Sequence, residues 1–420
     1  MSRILKTSLK SGIKVITEEM SESESSSIGV WVKTGSRDED PEFNGASHFI
    51  EHMLFKGTAT RSAHDISKEI ESVGGVLNAF TSREYTCFYA KVLNRDIPRA
   101  VDILSDILLN SKFDRRELVK ERKVIMQEIK MVEDTPDDLI HDLFAEKFYK
   151  AHPLGRPILG TMETISSLDR PRLVDYFKKK YVSESIFITA AGGVRHSSLV
   201  KLLRSTFGKV EKSGGGEAVE KPEASAGACL VEKDLGQVHI CIGVPVPPQS
   251  DPGRYRTYLL NTILGAGMSS RLFQKIREKR GLVYSVYSYL SLFRDTGALT
   301  VYAGTTEENF SKVVKLILGE FRNIGKDITA SELKDAKSHL KGSMLLGLEA
   351  SDNRMAKLAK DEIYFKEVVP VKEMVKGIDR VRTRDLKFTA SKFLVPEKAA
   401  LVAMGKVGSA RLPAFLKKTV

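Results

Sequence analysis

Apolar and polar residues follow two different periods along this chain. Short stretches such as 29–32 and 86–92 are rich in β-branched and aromatic residues and alternate in polarity, which predicts strands. Longer stretches such as 117–129 repeat apolar residues every three or four positions without a helix-breaking residue, which predicts amphipathic helices. Because both patterns recur in each half of the chain, we expect an α+β fold with helices on one face of a mainly antiparallel sheet.

A polar segment interrupts these patterns near the middle of the chain. Residues 211–227 contain few large apolar side chains and many glycine, alanine, serine and charged residues, which is typical of a linker. The segment separates stretches of similar length. We therefore predict one domain over residues 1–210, a linker over 211–227 and a second domain over 228–420.

The two halves also resemble each other in sequence. Residues 187–194, near the end of the first half, resemble residues 400–407, near the end of the second. Residues 113–118 resemble residues 328–333 in the same way. Similarity at matching places predicts an internal duplication that gives two homologous domains.

One pentapeptide, from His48 to His52, combines two histidines with a glutamate. On a helix, residues four positions apart lie above one another, so His48 and His52 can both direct a ring nitrogen at one metal ion. Zinc favours imidazole ligands, and the adjacent Glu51 is placed to act as a general base. Asn44 and Gly45 indicate the start of this helix, and the apolar residues that follow indicate that it is largely buried. The alternative is that both histidines are ordinary core residues.

A third metal ligand is expected from the helix predicted over 117–129. Glu121 and Glu128 are seven positions apart and therefore share one helical face. If that face turns inward, Glu128 is the third ligand and Glu121 lies behind it, where it can orient a histidine. The alternative is that both glutamates are solvated and pair with neighbouring lysine and arginine residues.

The second half carries no equivalent of this set. When the register of 113–118 and 328–333 is carried forward, Ala336 falls opposite Glu121. Ser343 then falls opposite Glu128, and no second His-x-x-Glu-His occurs after the linker. We therefore predict a single zinc site per chain, in the first domain.

Composition and charge are those of an ordinary globular protein. The chain has 420 residues, 42% of them hydrophobic and 29% charged, which is enough for two domains with buried cores. Its net charge of +12 is spread over helices that also carry acidic residues, so neither a nucleic-acid partner nor a membrane partner is expected. Three scattered cysteines favour a reducing compartment over a disulfide scaffold; they are Cys87, Cys229 and Cys241.

The motif and its surroundings resemble the pitrilysin or insulinase family of zinc peptidases, and in particular its half-length branch, of which mitochondrial processing peptidase is typical. The resemblance extends from residues 48–58 through 74–81 and 152–157 into the second half. It implies two α/β sandwich domains of the LuxS/metallohydrolase-like type. In that family two histidines and a distal glutamate bind zinc, a glutamate within the motif is the general base, and another glutamate supports the site. The matching residues here are His48, His52, Glu128, Glu51 and Glu121 in turn.

The same resemblance implies roles in substrate binding. An arginine and a tyrosine in the second domain bind substrate and support the tetrahedral intermediate in the family, and Arg277 and Tyr284 match them. The alternative places Arg277 on a solvated helix and Tyr284 in a strand core. The pattern of residues 76–81 predicts an edge strand, to which an extended peptide can bind as an additional strand by main-chain hydrogen bonds. The substrate-binding candidates on this strand are Asn78, Ala79 and Phe80.

The sequence therefore predicts a zinc-dependent endopeptidase, with one Zn²⁺ per chain, that hydrolyses unfolded peptides or extended leader segments with Glu51 as the base. Since full-length relatives close two such double domains into a chamber, a homodimer is expected, and a heterodimer with a homologous subunit stays open. The alternative function is a non-catalytic or partner-dependent subunit, as in core-protein scaffolds. With a polar start to the chain and no long apolar run, we expect a cytoplasmic protein, or a mitochondrial-matrix one if a targeting sequence has been removed.

Overall fold

The structure is a computed structural model that describes residues 3–210, 220–408 and 412–416. Its described residues form two compact units. The first draws on Met1–Lys130, Arg156–Val219 and Gly347–Val368. The second draws on Met131–Gly155, Glu220–Leu346 and Val369–Val420.

The described residues form eleven strands and fourteen α-helices. The strands are β1 (Arg3–Ser8), β2 (Lys14–Glu19), β3 (Ser25–Val32), β4 (Val76–Thr81), β5 (Thr86–Leu93), β6 (Ile186–Gly192), β7 (Gly227–Glu232), β8 (Val238–Val246), β9 (Val283–Leu292), β10 (Gly297–Thr305) and β11 (Ala400–Gly405). The helices are α1 (Ala46–Leu54), α2 (Ala63–Glu71), α3 (Ile97–Leu109), α4 (Arg115–Glu133), α5 (Pro136–Phe148), α6 (Met162–Ser167), α7 (Arg170–Lys180), α8 (His196–Thr206), α9 (Arg254–Gly265), α10 (Glu307–Asp327), α11 (Ala330–Gly347), α12 (Ser351–Tyr364), α13 (Val371–Arg380) and α14 (Thr383–Phe393).

Each unit contains one mixed sheet, and the two sheets have the same topology. The first has the order β1-β2-β6-β3-β5-β4 and the second the order β7-β11-β8-β10-β9. Without β1, the strands correspond one to one, because β2 is parallel to β6 as β7 is to β11, and the remaining neighbours are antiparallel. This repetition is the arrangement expected of duplicated α/β domains. Helices α4 and α11 have the same place in the order of elements, and their first residues, Arg115 and Ala330, are separated by the same number of positions as Glu128 and Ser343.

The prediction that the helices lie on one face of each sheet is only partly correct, because each sheet also has a helix on its other face. In the first unit most helices pack on one face, but α12 packs on the other, where Met355 and Ala359 contact a cluster that includes Trp31 and Phe187. In the second unit α5 covers the corresponding face through Phe144 and its neighbours. The physical reason is that central strands such as β6 and β11 are buried along their whole length, so the side chains on both of their faces must pack against other elements.

The compact units do not follow the sequence halves, because α5 belongs to the second unit and α12 to the first. The predicted linker, residues 211–227, lies partly outside the described residues, since 211–219 are not among them. The domain boundaries therefore stay a prediction. No helix in the described ranges combines the length and apolar character needed to cross a membrane.

Candidate metal centre

Helix α1, which carries the two histidines, begins at a tightly built turn. Gly45 precedes the helix with a φ of +92°, and a Cβ there would come within 2.7 Å of the Leu159 carbonyl oxygen. The buried carboxylate of Glu39 accepts hydrogen bonds from the backbone N–H groups of Gly45, at 2.8 Å, and Ser47, at 2.7 Å. Burial raises the pKa of Glu39 to about 7, although these hydrogen bonds oppose the shift. The start of the helix is thereby fixed next to His48.

His48, His52 and Glu128 lie close together, the two histidines on one face of α1 and the glutamate on α4. The two imidazole rings have centroids 4.6 Å apart. Glu128 reaches them from α4, with its Oε2 atom 3.8 Å from His48 Nε2 and 3.7 Å from His52 Nε2. One potential ligand atom from each residue lies within 4.8 Å of the other two, and no second group of this kind occurs among residues 3–210, 220–408 and 412–416.

These residues fit a zinc ion. Two imidazole nitrogens and one carboxylate oxygen are a ligand set that catalytic zinc sites use, with the fourth position left open. His48 Nδ1 is buried and has no hydrogen-bond partner among the described residues, so the protein does not otherwise satisfy this ring. Burial, and next the neighbouring His52, lowers the pKa of His48 to about 3, which keeps the ring in the neutral form that binds metals.

Glu121 lies behind His52, as a residue that orients the ring would. Its Oε2 atom is 3.0 Å from His52 Nδ1, which leaves His52 Nε2 facing Glu128. Its Oε1 atom pairs with the Lys56 ammonium group at 2.9 Å. A carboxylate in this position fixes the tautomer and the direction of a metal-binding imidazole.

Glu51 is on α1 beside the histidines but makes a different contact. Its Oε2 atom accepts a hydrogen bond of 2.5 Å from the hydroxyl group of Thr81, at the end of β4. Burial raises the pKa of Glu51, and the hydrogen bond from Thr81 partly opposes this. The Glu51 carboxylate is therefore partly buried beside the candidate metal ligands. One of its two oxygens is hydrogen-bonded to the protein.

The sequence did not single out Thr81 or Glu39. For Thr81 a signal existed, because alternation along β4 places residues 77, 79 and 81 on the side that faces the core. For Glu39 there was none, since the acidic side chain lies in a loop and its contact with α1 depends on the turn at Gly45.

The three substrate-binding candidates on β4 face in different directions. The strand is an edge of its sheet, so one side of its backbone is not paired with another strand. Asn78 Oδ1 accepts a hydrogen bond from the backbone N–H of Ala79 at 2.8 Å, and the Ala79 side chain packs against the core. The Phe80 ring instead meets Trp31 at a centroid distance of 5.9 Å. Ala79 and Asn78 thus offer backbone and amide groups, whereas Phe80 packs within an aromatic cluster.

Arg277 and Tyr284 lie together on the surface of the second unit. Arg277 belongs to a π-helical segment, Phe273–Glu278, and its guanidinium carbon is 5.9 Å from the centre of the Tyr284 ring. Tyr284 is 77% exposed on the edge strand β9, so the alternative that places it in a strand core is wrong. Arg277 is also exposed, and its guanidinium group stacks on Phe273 at 4.8 Å.

Comparison with known proteins assigns both halves to one family. Residues 14–162 match the family described as insulinase (peptidase family M16), and residues 167–340 match the peptidase M16 inactive domain. A Mycobacterium tuberculosis protein named as an uncharacterized zinc protease is 38% identical over 426 residues, covering 99% of this chain and 96% of the relative. A Bacillus subtilis protein named in the same way is 39% identical over 401 residues, covering 95% and 98%.

Solved structures show the same fold. A protease from Helicobacter pylori has a TM-score of 0.90 at 21% identity, covering 96% of this chain and 100% of that one. A peptidase M16 inactive domain from Pseudomonas fluorescens has a TM-score of 0.90 at 20% identity, covering 98% and 99%. Because the curated relatives are more than 30% identical over nearly the whole chain, the protein belongs to the insulinase family, peptidase family M16.

Proposed function

We propose that the protein is a zinc-dependent endopeptidase that hydrolyses unfolded peptides or extended leader segments. The observation that carries this proposal is the convergence of His48, His52 and Glu128 on one point, with the Glu51 carboxylate beside them. The names of the M. tuberculosis and B. subtilis relatives, both zinc proteases, support it. Each chain would hold one Zn²⁺ ion.

The residues around the metal have separate tasks in this proposal. Bound zinc supplies Lewis-acid activation of water and of the scissile carbonyl group. Glu51 takes a proton from the attacking water and later delivers it to the leaving amine, a task that suits a carboxylate whose pKa is raised by burial. Glu121 keeps His52 in the tautomer whose Nε2 atom can bind metal, because its carboxylate accepts a hydrogen bond from the Nδ1–H group.

The substrate is proposed to bind as an added strand. The exposed edge of β4 offers unpaired backbone groups a short distance along the strand from Thr81, which touches the general base. Recognition of this kind uses the peptide backbone, so it requires an extended segment and not a particular folded partner. Asn78 would give up its bond to the Ala79 N–H group when a peptide takes that position.

The proposed enzyme acts as a dimer, with Arg277 and Tyr284 in contact with substrate. Both residues are exposed, and guanidinium and phenol donors suit a developing oxyanion. Since one chain carries both the metal ligands and this pair, a homodimer is the simplest assembly. A heterodimer, in which a distinct homologous subunit completes a processing peptidase, is the alternative that the name of the inactive domain leaves open.

Two substitutions test the metal and the base separately. His52→Ala should abolish zinc retention, measured by metal analysis of the purified protein, whereas the exposed His64→Ala should retain about one zinc per chain. Glu51→Gln should retain zinc and peptide affinity but lose about 10²–10⁴-fold in turnover, because an amide cannot accept the proton. Stoichiometric zinc after the loss of both His48 and His52, or near-normal turnover by Glu51→Gln, would contradict the proposal.

The same assays separate the alternatives. A peptide library cleaved by the protein alone supports the homodimeric enzyme. Zinc binding without cleavage, followed by cleavage once a homologous subunit is added, supports the heterodimer. Absence of zinc from the folded protein supports a non-catalytic scaffold.

A further inference from the structure

We propose that Thr81 is a positioning residue that holds the Glu51 carboxylate for proton transfer. The inference rests on the proposed function and adds to it a residue outside the metal ligands. Thr81 Oγ1 donates to Glu51 Oε2 at 2.5 Å, and among the described residues no other protein group donates a hydrogen bond to this carboxylate. The contact joins residues on α1 and β4 that are 30 positions apart in sequence.

The register of the sheet places the Thr81 hydroxyl next to the Glu51 carboxylate. Strand β4 is antiparallel to β5, with Thr81 paired to Thr86, so alternation turns Thr81 toward α1 and the neighbouring Phe80 toward the opposite face. The turn that follows is held by the backbone N–H and the hydroxyl of Ser82, each of which donates to the Tyr85 carbonyl at 2.8 Å. Slippage by one residue would turn the Thr81 side chain to the opposite face of the sheet, away from Glu51.

The bond has a definite consequence for the base. Because Thr81 already donates to Oε2, the Oε1 atom of Glu51, which accepts no hydrogen bond from the described residues, is left for contact with the attacking water. A threonine suits this task, since its branched Cβ restricts χ1 and the hydroxyl loses little freedom when it binds. Strand β4 would also bind the substrate, so the base and the peptide would be aligned by the same short strand.

The experiment compares Thr81→Val, which keeps the shape and removes the hydroxyl, with Thr81→Ser, which keeps the hydroxyl. Thr86→Val is the matched control, because Thr86 is also buried and its hydroxyl donates to the Thr34 carbonyl at 2.9 Å and not to Glu51. Thermal unfolding and zinc content are measured for all three. Steady-state hydrolysis of one peptide gives kcat and KM, and crystal structures give the position of the Glu51 carboxylate.

We expect Thr81→Val to keep its zinc and its KM while kcat falls by about 10- to 100-fold, a part of what general-base catalysis contributes. Thr81→Ser should stay near the wild-type kcat, and Thr86→Val should keep wild-type kcat even if it unfolds at a lower temperature. In the crystal structure of Thr81→Val the Glu51 carboxylate should leave its present position. A loss confined to kcat and restored by serine cannot come from a general loss of stability.

Three results would overturn the proposal: wild-type kcat in Thr81→Val, an equal loss of kcat in Thr81→Ser, or an unmoved Glu51 carboxylate in Thr81→Val. Failure of the proposed function gives a different result, namely a wild-type protein that cleaves no peptide or a fully active Glu51→Gln. In that case the crystal structure of Thr81→Val still decides whether Thr81 holds Glu51 in place.

Discussion

Two glutamates beside the same pair of histidines have different neighbours. Glu51 accepts a hydrogen bond from an uncharged hydroxyl group, and burial raises its pKa. Glu121 contacts the Lys56 ammonium group at 2.9 Å and the His52 ring at 3.0 Å. Glu51 therefore has one oxygen without a hydrogen bond from the described residues, whereas both oxygens of Glu121 are held by nitrogen groups, so the two carboxylates are suited to different tasks.

Replacing Glu121 should weaken metal binding without removing a ligand. Glu121→Gln loses the charge that faces Lys56 and no longer fixes the His52 tautomer, so zinc affinity should fall by about 10- to 100-fold. The affinity is measured by competition with a zinc chelator. Glu117→Gln, on the same helix and paired with Lys120 at the surface, is the control and should bind zinc as the wild type does. Equal affinities for the two variants would contradict a role for Glu121.

The local part of the site could be predicted from sequence, and the long-range part could not. His48 and His52 share a helical face because they are four positions apart, and Glu121 and Glu128 share one because they are seven apart. Thr81 reaches Glu51 only after a strand has taken its register with β5, which no local pattern reports. Helical spacing made Glu128 the candidate third ligand but left open that it is solvated, and the family resemblance favoured the first interpretation.

Central strands that are buried on both faces explain why each sheet has a helix on its second face. Strands β6 and β11 are fully buried, and the side chains on their second faces pack against α12 and α5 respectively. The sequence predicted the strands and the helices as elements. It did not predict this covering layer, because the helix that provides it comes from the other half of the chain and periodicity contains no information about such a partner.

Truncation of one side chain in α12 should destabilise the first unit. Met355 is 2% exposed and belongs to the cluster of Trp31, so Met355→Ala should lower the unfolding free energy by about 2–5 kcal/mol. Trp31 is the single tryptophan of the chain, so its fluorescence during urea unfolding reports on this cluster directly. The same substitution at Met131, which is 64% exposed, should change the free energy by less than about 0.5 kcal/mol. Similar values for both variants would show that α12 does not stabilise the sheet.

The two units have the same topology, but the candidate metal ligands occur in the first. By the offset between α4 and α11, Ala336 and Ser343 of the second unit correspond to Glu121 and Glu128, so that unit lacks both glutamates. It keeps instead an exposed pair, Arg277 and Tyr284, on its edge strand and the preceding π-helical segment. This division of residues supports the proposal that a complete site needs both kinds of unit.

A complementation experiment tests whether the sites are shared between two chains. If Tyr284 of one chain serves the zinc site of its partner, mixing inactive Glu51→Gln with inactive Tyr284→Phe should restore activity. Each mixed dimer then has one site with an intact base and an intact tyrosine, so random exchange should give at most about a quarter of wild-type activity. Differently tagged copies must first demonstrate exchange. Mixed dimers that stay inactive, although both variants fold and dimerise, would indicate a site completed within one chain.

Each unit takes one helix from the other half of the chain, α12 in the first unit and α5 in the second, and this affects biosynthesis. A ribosome adds about 5–20 residues per second, so α12 emerges on the order of 10 s after β6. During that time the apolar surface around Trp31 and Phe187 is exposed to solvent. The interval between the synthesis of α5 and that of β11, against which it packs, is longer still. We expect the nascent chain to need protection from aggregation during these intervals, because the first unit cannot close before α12 is made and the second cannot close before β11 is made.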